Sequence, residues 1–265
     1  MSRLPLPREY ILASLKYVNE RLERLPICSI IRHGDQLKIS TKEPRHEYSV
    51  NSKKGKGYLP IIAEREKYLQ MKASLISRWK SFYDDSIELD AIAINHSVSV
   101  PGSSIWDQLV SESNRFENSN NIYHNGIHIR SRGEMTIMEI LDQLCLDYVY
   151  EPELILDGKR FSPDFVIKVP AFGCCIIVEY LGLLDDYNYL DSTKTKIGQY
   201  FKNGFFIGTN LILLCGNKST TPSFDAIYNS IVSTLANLCT VYVKQKSLDM
   251  SLSDCKNDVS NDIWL

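Results

Sequence analysis

The stretch from Ser162 to Leu181 constrains this chain more than any other. If Pro170-Ala171-Phe172-Gly173 closes a hairpin, Val169 pairs with Cys174, and stepping outwards brings Asp164 opposite Glu179. Their Cβ atoms would then stand about 5 Å apart on the face that also carries Val166 opposite Ile177. Cys174 to Val178 is wholly apolar and reads as a buried central strand. Two buried carboxylates facing each other repel, and a divalent cation compensates them directly. Oxygen ligands of this kind suit Mg²⁺ or Mn²⁺. A register slipped by one residue would put the two groups on opposite faces, and a carboxylate at an exposed strand end could instead pair with Lys159 or Arg160.

The neighbouring sequence supplies further candidates. Ser131 offers a helix N-cap with Glu134 three residues on, ahead of Ile137, Ile140, Leu141 and Leu144 on one helical face. Glu134 adds a third carboxylate if that helix packs over the sheet. Strands are expected at Asp147–Tyr150, Phe161–Val169, Cys174–Leu181 and Leu211–Cys215, with helices over about 192–203 and 224–238 and a last strand near 241–244. Strand, helix, strand from Cys174 to Cys215 makes a βαβ unit, so those two strands run parallel. On the middle helix Ile197, Tyr200 and Phe201 mark the buried face, and Lys194 and Lys196 border it from either side. A lysine reaching the carboxylates from there could orient or deprotonate a water or hold a phosphate; the bland alternative is a solvated helix lysine.

The first part of the chain is less organised. Helices are expected over 8–24 and 61–83, a hairpin around His33-Gly34-Asp35, and a flexible basic loop at 51–57. The expected division is a basic N-terminal module over 1–115, mostly helical or α+β, a mixed α/β domain over 120–245 and a polar tail over 246–265, with Glu117–Asn121 as the boundary. The net charge of −2 argues against a polycationic nucleic-acid coat. Yet Lys38 to Lys80 holds eleven Lys or Arg against four Asp or Glu, either a phosphate-facing segment or a solvated basic face. Seven scattered cysteines form no C-x-x-C pair, and the five histidines have no metal-ligand spacing. With no long apolar run and no signal-type N-terminus, the expected setting is the cytoplasm, without a membrane.

These residues also resemble a known family. Pro163-Asp164 followed by Glu179-Tyr180-Leu181-Gly182 is similar to the signature of the PD-(D/E)XK, or restriction-endonuclease-like, nuclease superfamily. The wider string matches a branch with a helix-borne glutamate, an E-x-x-G third motif and a displaced lysine: Arg130-Ser131-Arg132-Gly133-Glu134, Tyr150-Glu151, Ser162 to Phe165, Glu179 to Asp186, then Lys196 four residues before Tyr200. Leu181 stands where the usual motif has its lysine, and Lys196 matches the displaced one. The resemblance implies a mixed-sheet α/β core and a Mg²⁺- or Mn²⁺-dependent endonuclease that hydrolyses phosphodiesters, of DNA before RNA. Glu134, Asp164, Glu179 and the carbonyl of Tyr180 would hold the metal, and Lys196 would assist the water. Arg130, Arg132 and Lys194 are candidate nucleic-acid contacts. Glu151, Gln199 and Tyr200 are candidate supports, with Glu151 more simply a strand-end surface charge. A homodimer or protein partner fits such a protein as well. The alternative reading is an inactive member that keeps the fold and binds nucleic acid or a partner.

Overall fold

Apolar residues at helical spacing, Ile11, Leu12, Leu15 and Val18, form helix α1 (Arg8–Arg24) and are all buried. The computed structural model describes residues 4–83, 85–98, 100–111, 122–217 and 220–245; the expected boundary at 117–121 and the polar tail lie outside them. After Pro26 come β1 (Cys28–His33), β2 (Gln36–Lys42) and β3 (Arg45–Ser49), an antiparallel sheet. Its first two strands are the expected hairpin; the third was not foreseen. The expected loop at 51–57 is instead largely the start of α2 (Lys53–Phe82), because the Ser52 hydroxyl accepts from the Gly55 N–H at 3.0 Å and caps the helix. On α2, Ile62, Leu75 and Trp79 are buried, whereas Leu69 is exposed. Next come β4 (Ile92–Ile94), the single turn α3 (Ser103–Trp106), β5 (Val110–Ser111), and the hairpin of β6 (Ile122–His124) and β7 (Ile127–Ile129).

α4 (Arg132–Leu144) begins where the sequence places it, with the Ser131 hydroxyl accepting from Glu134 N–H at 3.2 Å. Strand β8 (Tyr148–Tyr150) follows. The expected single strand over Phe161–Val169 is broken. β9 (Pro152–Leu156) and β10 (Lys159–Phe161) form a hairpin about Asp157 and Gly158, both at positive φ, and β11 (Phe165–Val169) starts only after Ser162-Pro163-Asp164. Pro163 has no N–H to give a ladder, so pairing resumes beyond it. Then come β12 (Cys174–Leu181), α5 (Tyr187–Lys202), β13 (Leu211–Cys215), α6 (Phe224–Tyr242) and β14 (Val243–Gln245). The last pairs with β4, away from the central sheet.

The central sheet has the order β13-β12-β11-β8. β12 runs antiparallel to β11 and parallel to β13. Val169 pairs with Cys174 as expected and Phe165 with Val178, where the ladder ends; Asp164 stands one residue before β11 and Glu179 one residue beyond Val178. The period of two divides the strands between two cores. Phe165, Ile167, Ile176 and Val178 pack with residues of α1, α4 and α6, while Val166, Cys175, Ile177 and Leu211 pack with Tyr200 of α5 and Phe205. Mixed α/β architecture, with helices on both faces of a mixed sheet, follows from that division. Among the described residues no helix is long and apolar enough to cross a membrane.

Candidate active site

Glu179 points to the α5 side of the sheet, on the face of Ile177, and is 3 % exposed. α5 meets it with the stripe Thr193, Lys196 and Tyr200. Lys196 Nζ lies 2.7 and 2.8 Å from its two carboxylate oxygens and also donates to the Ser162 carbonyl at 2.9 Å. The Tyr200 hydroxyl donates to Glu179 Oε1. Burial pushes the Glu179 carboxyl up to about 7, helped by the charge of Asp164 and opposed by Lys196 and Tyr200. The lysine question left open by the sequence thus has an answer in this geometry: Lys196 touches the carboxylate, and Lys194 is exposed. The expected buried stripe of α5 was also turned too far. Phe201 is 40 % exposed and stacks on Phe206.

Asp164 is buried at the entry to β11. Its Oδ2 accepts the Tyr180 N–H at 2.6 Å and its Oδ1 lies 3.4 Å from Arg130 Nη2. Burial raises its pKa, while Lys196, the Tyr180 N–H and Arg130 pull it back. Glu134, on the first turn of α4, is buried as well. The Tyr150 hydroxyl donates to its Oε2 at 2.6 Å, and burial together with Asp164 raises its pKa. The Tyr180 carbonyl accepts from the Gly182 N–H at 3.2 Å.

Glu151 corrects the strand-end expectation. It is buried and ion-paired with Arg130 Nε, at a backbone φ of 43° directly before Pro152. A residue before proline is pushed towards extended backbone, so this left-handed conformation is a local strain of the kind that marks functional sites. Arg130 therefore joins Glu151 to Asp164. Arg132 is exposed, and Gln199 is half-buried with its carbonyl accepting from Asn203. Three residues were not singled out from the sequence as parts of the site. Tyr150 holds Glu134, and Tyr189 is half-buried near Asp164 and Glu179, which raise its pKa after burial itself. Asp186 caps α5, accepting from the Asn188 and Tyr189 N–H groups at 2.9 and 3.1 Å. The Asp186 cap was readable in advance, as an N-cap residue type before a helical run.

Glu134, Asp164, Glu179, Lys196, Arg130 and Arg160 line one cavity of about 740 Å³, within the range of small-ligand sites. Three buried carboxylates line it, Glu134, Asp164 and Glu179, and a fourth, Glu151, is paired with the lining residue Arg130; together they meet the two cations Arg130 and Lys196. Fully ionised, they outnumber those two cations by two, while Arg160 pairs with Glu153. Burial is the main cause that raises the pKa of all four, with neighbouring carboxylates adding to it for Glu134, Glu151 and Glu179. In charge and donor type the set fits one hard divalent cation. In present position each carboxylate is bonded to a protein donor, and among the described residues no three His, Cys, Asp or Glu side chains are gathered to hold a metal. Comparison of the chain with protein-family models, with curated proteins and with solved structures gives no match.

Proposed function

We propose that this chain is a divalent-metal-dependent phosphodiesterase of the PD-(D/E)XK type that cleaves nucleic acid in the cytoplasm, DNA before RNA. The observation that carries the reading is the convergence of Asp164, Glu179 and Lys196 from two antiparallel strands and one helix on a single open cavity. The chain order α4, β8, β11, β12, α5, β13, with a mixed four-stranded sheet, supports a restriction-endonuclease-like core.

Glu134, Asp164 and Glu179, with the Tyr180 carbonyl, would hold Mg²⁺ or Mn²⁺. When bound, the ion supplies a Lewis acid and a water of lowered pKa. Lys196 sits on Glu179, where its ammonium can bind a phosphate oxygen or, deprotonated, take a proton from the attacking water. Arg130 neutralises Asp164 and Glu151 and can turn towards a phosphodiester at the cavity mouth.

The test compares wild type with Asp164→Ala on mixed DNA and RNA with added Mg²⁺ or Mn²⁺. Wild type should cut and the variant should not; equal behaviour of the two sinks the reading. One observation favours a second reading, a nuclease fold that binds without cutting: both oxygens of Glu179 are occupied by Lys196 and Tyr200. Metal-independent binding of nucleic acid, with calorimetry showing no heat of Mn²⁺ binding, would select it.

A further inference from the structure

Tyr180 touches each part of the site by a different route. Its N–H is bonded to Asp164 and it directly follows Glu179. Its half-buried ring lies against three glycines from three places in the fold. A Cβ built on Gly133, the second residue of α4, would stand 2.5 Å from ring atom Cζ and 2.7 Å from Cε1. One on Gly182, just after β12, would stand 3.0 Å from Cε1. One on Gly216, just after β13, would stand 3.0 Å from the hydroxyl and 2.9 Å from the Thr220 carbonyl. Real Cβ atoms essentially never come within 3.0 Å of such neighbours, so the Gly133 contact admits no side chain unless ring or helix moves. With Gly182 and Gly216 bordering the ring elsewhere, a side chain at 133 pushes either α4 away from the sheet or the ring into the cavity that it lines.

We propose that Tyr180 is a positioning residue: its ring, seated against Gly133, Gly182 and Gly216, sets the distance between the start of α4, which carries Glu134, and the strand pair, which carries Asp164 and Glu179. Cation affinity then depends on the ring's shape rather than on its hydroxyl. The inference rests on the metal reading above for its consequence, though the ring-to-glycine contact stands without it. It also assigns a role to the glycines of Arg132-Gly133-Glu134 and Tyr180-Leu181-Gly182, which is to let the ring in.

Mn²⁺ binding by calorimetry on the full chain, well below the melting temperature, tests this. Gly133→Ala and Tyr180→Ala should each weaken Mn²⁺ binding about tenfold or more, as loss of a group that orients ligands does. Tyr180→Phe, which keeps the ring, should recover most of the affinity that Tyr180→Ala loses. In the double variant the new methyl group has no ring to strike, so its affinity should be no lower than that of Tyr180→Ala alone. Wild-type affinity in Gly133→Ala, or losses that multiply in the double variant, would overturn the proposal. A wild-type protein that takes up no Mn²⁺ would overturn the metal reading instead. The contact is then decided by thermal unfolding without metal. Gly133→Ala should lower the melting temperature by ~3 °C in the wild-type background and not in the Tyr180→Ala background. An equal loss in both overturns the positioning role.

Discussion

Glu179 shows how one side chain can be held by the protein and still be poised for a ligand. It is buried, faces a like charge and receives two donors from one helix face, Lys196 and Tyr200. Removing Lys196 from Glu179 and removing the Tyr150 hydroxyl from Glu134 should have different consequences. Lys196→Met should leave nucleic-acid binding in place and lower the cleavage rate by ~100-fold or more, the range of a lost proton-transfer group. Parallel filter-binding and single-turnover cleavage assays would check it; unchanged cleavage would show that Lys196 serves only to neutralise Glu179. Tyr150→Phe removes the hydroxyl that holds Glu134 while keeping the ring against Phe165. It should weaken Mg²⁺ binding about tenfold with little change in melting temperature, because the group orients a ligand rather than fills the core. Calorimetry with Mg²⁺ beside a melting curve separates the two effects.

At the scale of elements, local rules made much of the fold legible. The apolar run Cys174–Val178 and the four-residue turn before it sufficed for the β11–β12 register, and Ser131 marked the start of α4. Replacing the Ser131 cap by Ala should cost about 1 kcal/mol of stability, read from urea unfolding. It should also loosen Glu134, whose N–H the cap holds. The β9–β10 hairpin was readable as well, since Asp157-Gly158 between apolar strands is a strong hairpin signal, yet the expected strands left 152–156 unassigned and ran Phe161–Val169 as one. Other features depend on tertiary partners and leave little trace in the sequence. Lys53-Lys54-Gly55-Lys56-Gly57 has the composition of a loop and becomes helix through the Ser52 cap and the helix that follows. Glu151 looks like any strand-end charge until Arg130 arrives from 21 residues earlier. The basic segment is likewise diluted by internal duties. Buried Arg78 donates to the Leu4 and Gln143 carbonyls, Arg65 to those of Leu22 and Leu25, and Lys67 pairs with Asp147. Arg78→Ala should therefore lower stability by roughly 2–4 kcal/mol, leaving two carbonyls unpaired beside a cavity. A loss under 1 kcal/mol in urea unfolding would show that water replaces it.

For the molecule as a whole, the site's charge excess should appear in the pH dependence of stability. Glu134, Glu151, Asp164 and Glu179 all have pKa values raised above their ordinary ones, with Glu179 at about 7. Between about 4.5 and 7 the folded protein therefore holds a proton on Glu179 that the unfolded chain has already released. Stability falls with rising pH wherever the folded state binds more protons. The stabilisation from that proton is present below about 4.5 and lost as pH rises through about 7. Two exposed carboxylates, Glu47 and Asp157, are shifted the other way by Lys38 and Lys202, and their contribution changes only at lower pH. Chelator-treated protein should then melt lower at pH 8 than at pH 5.5. Mg²⁺ should reverse that order, because its ligands must be deprotonated and its charge cancels the excess. At one hundred times its dissociation constant it adds about 2.7 kcal/mol, or roughly 5–10 °C for a chain of this size. The rise should be larger at pH 8 than at pH 5.5 and absent in Asp164→Asn. Melting curves at the two pH values, with chelator and with Mg²⁺, decide the matter. A Mg²⁺ shift that is the same in Asp164→Asn would mean that the ion acts elsewhere on the protein. A metal-free melting temperature that does not fall between pH 5.5 and pH 8 would mean that the four carboxylates do not carry the charge excess on which the metal reading depends.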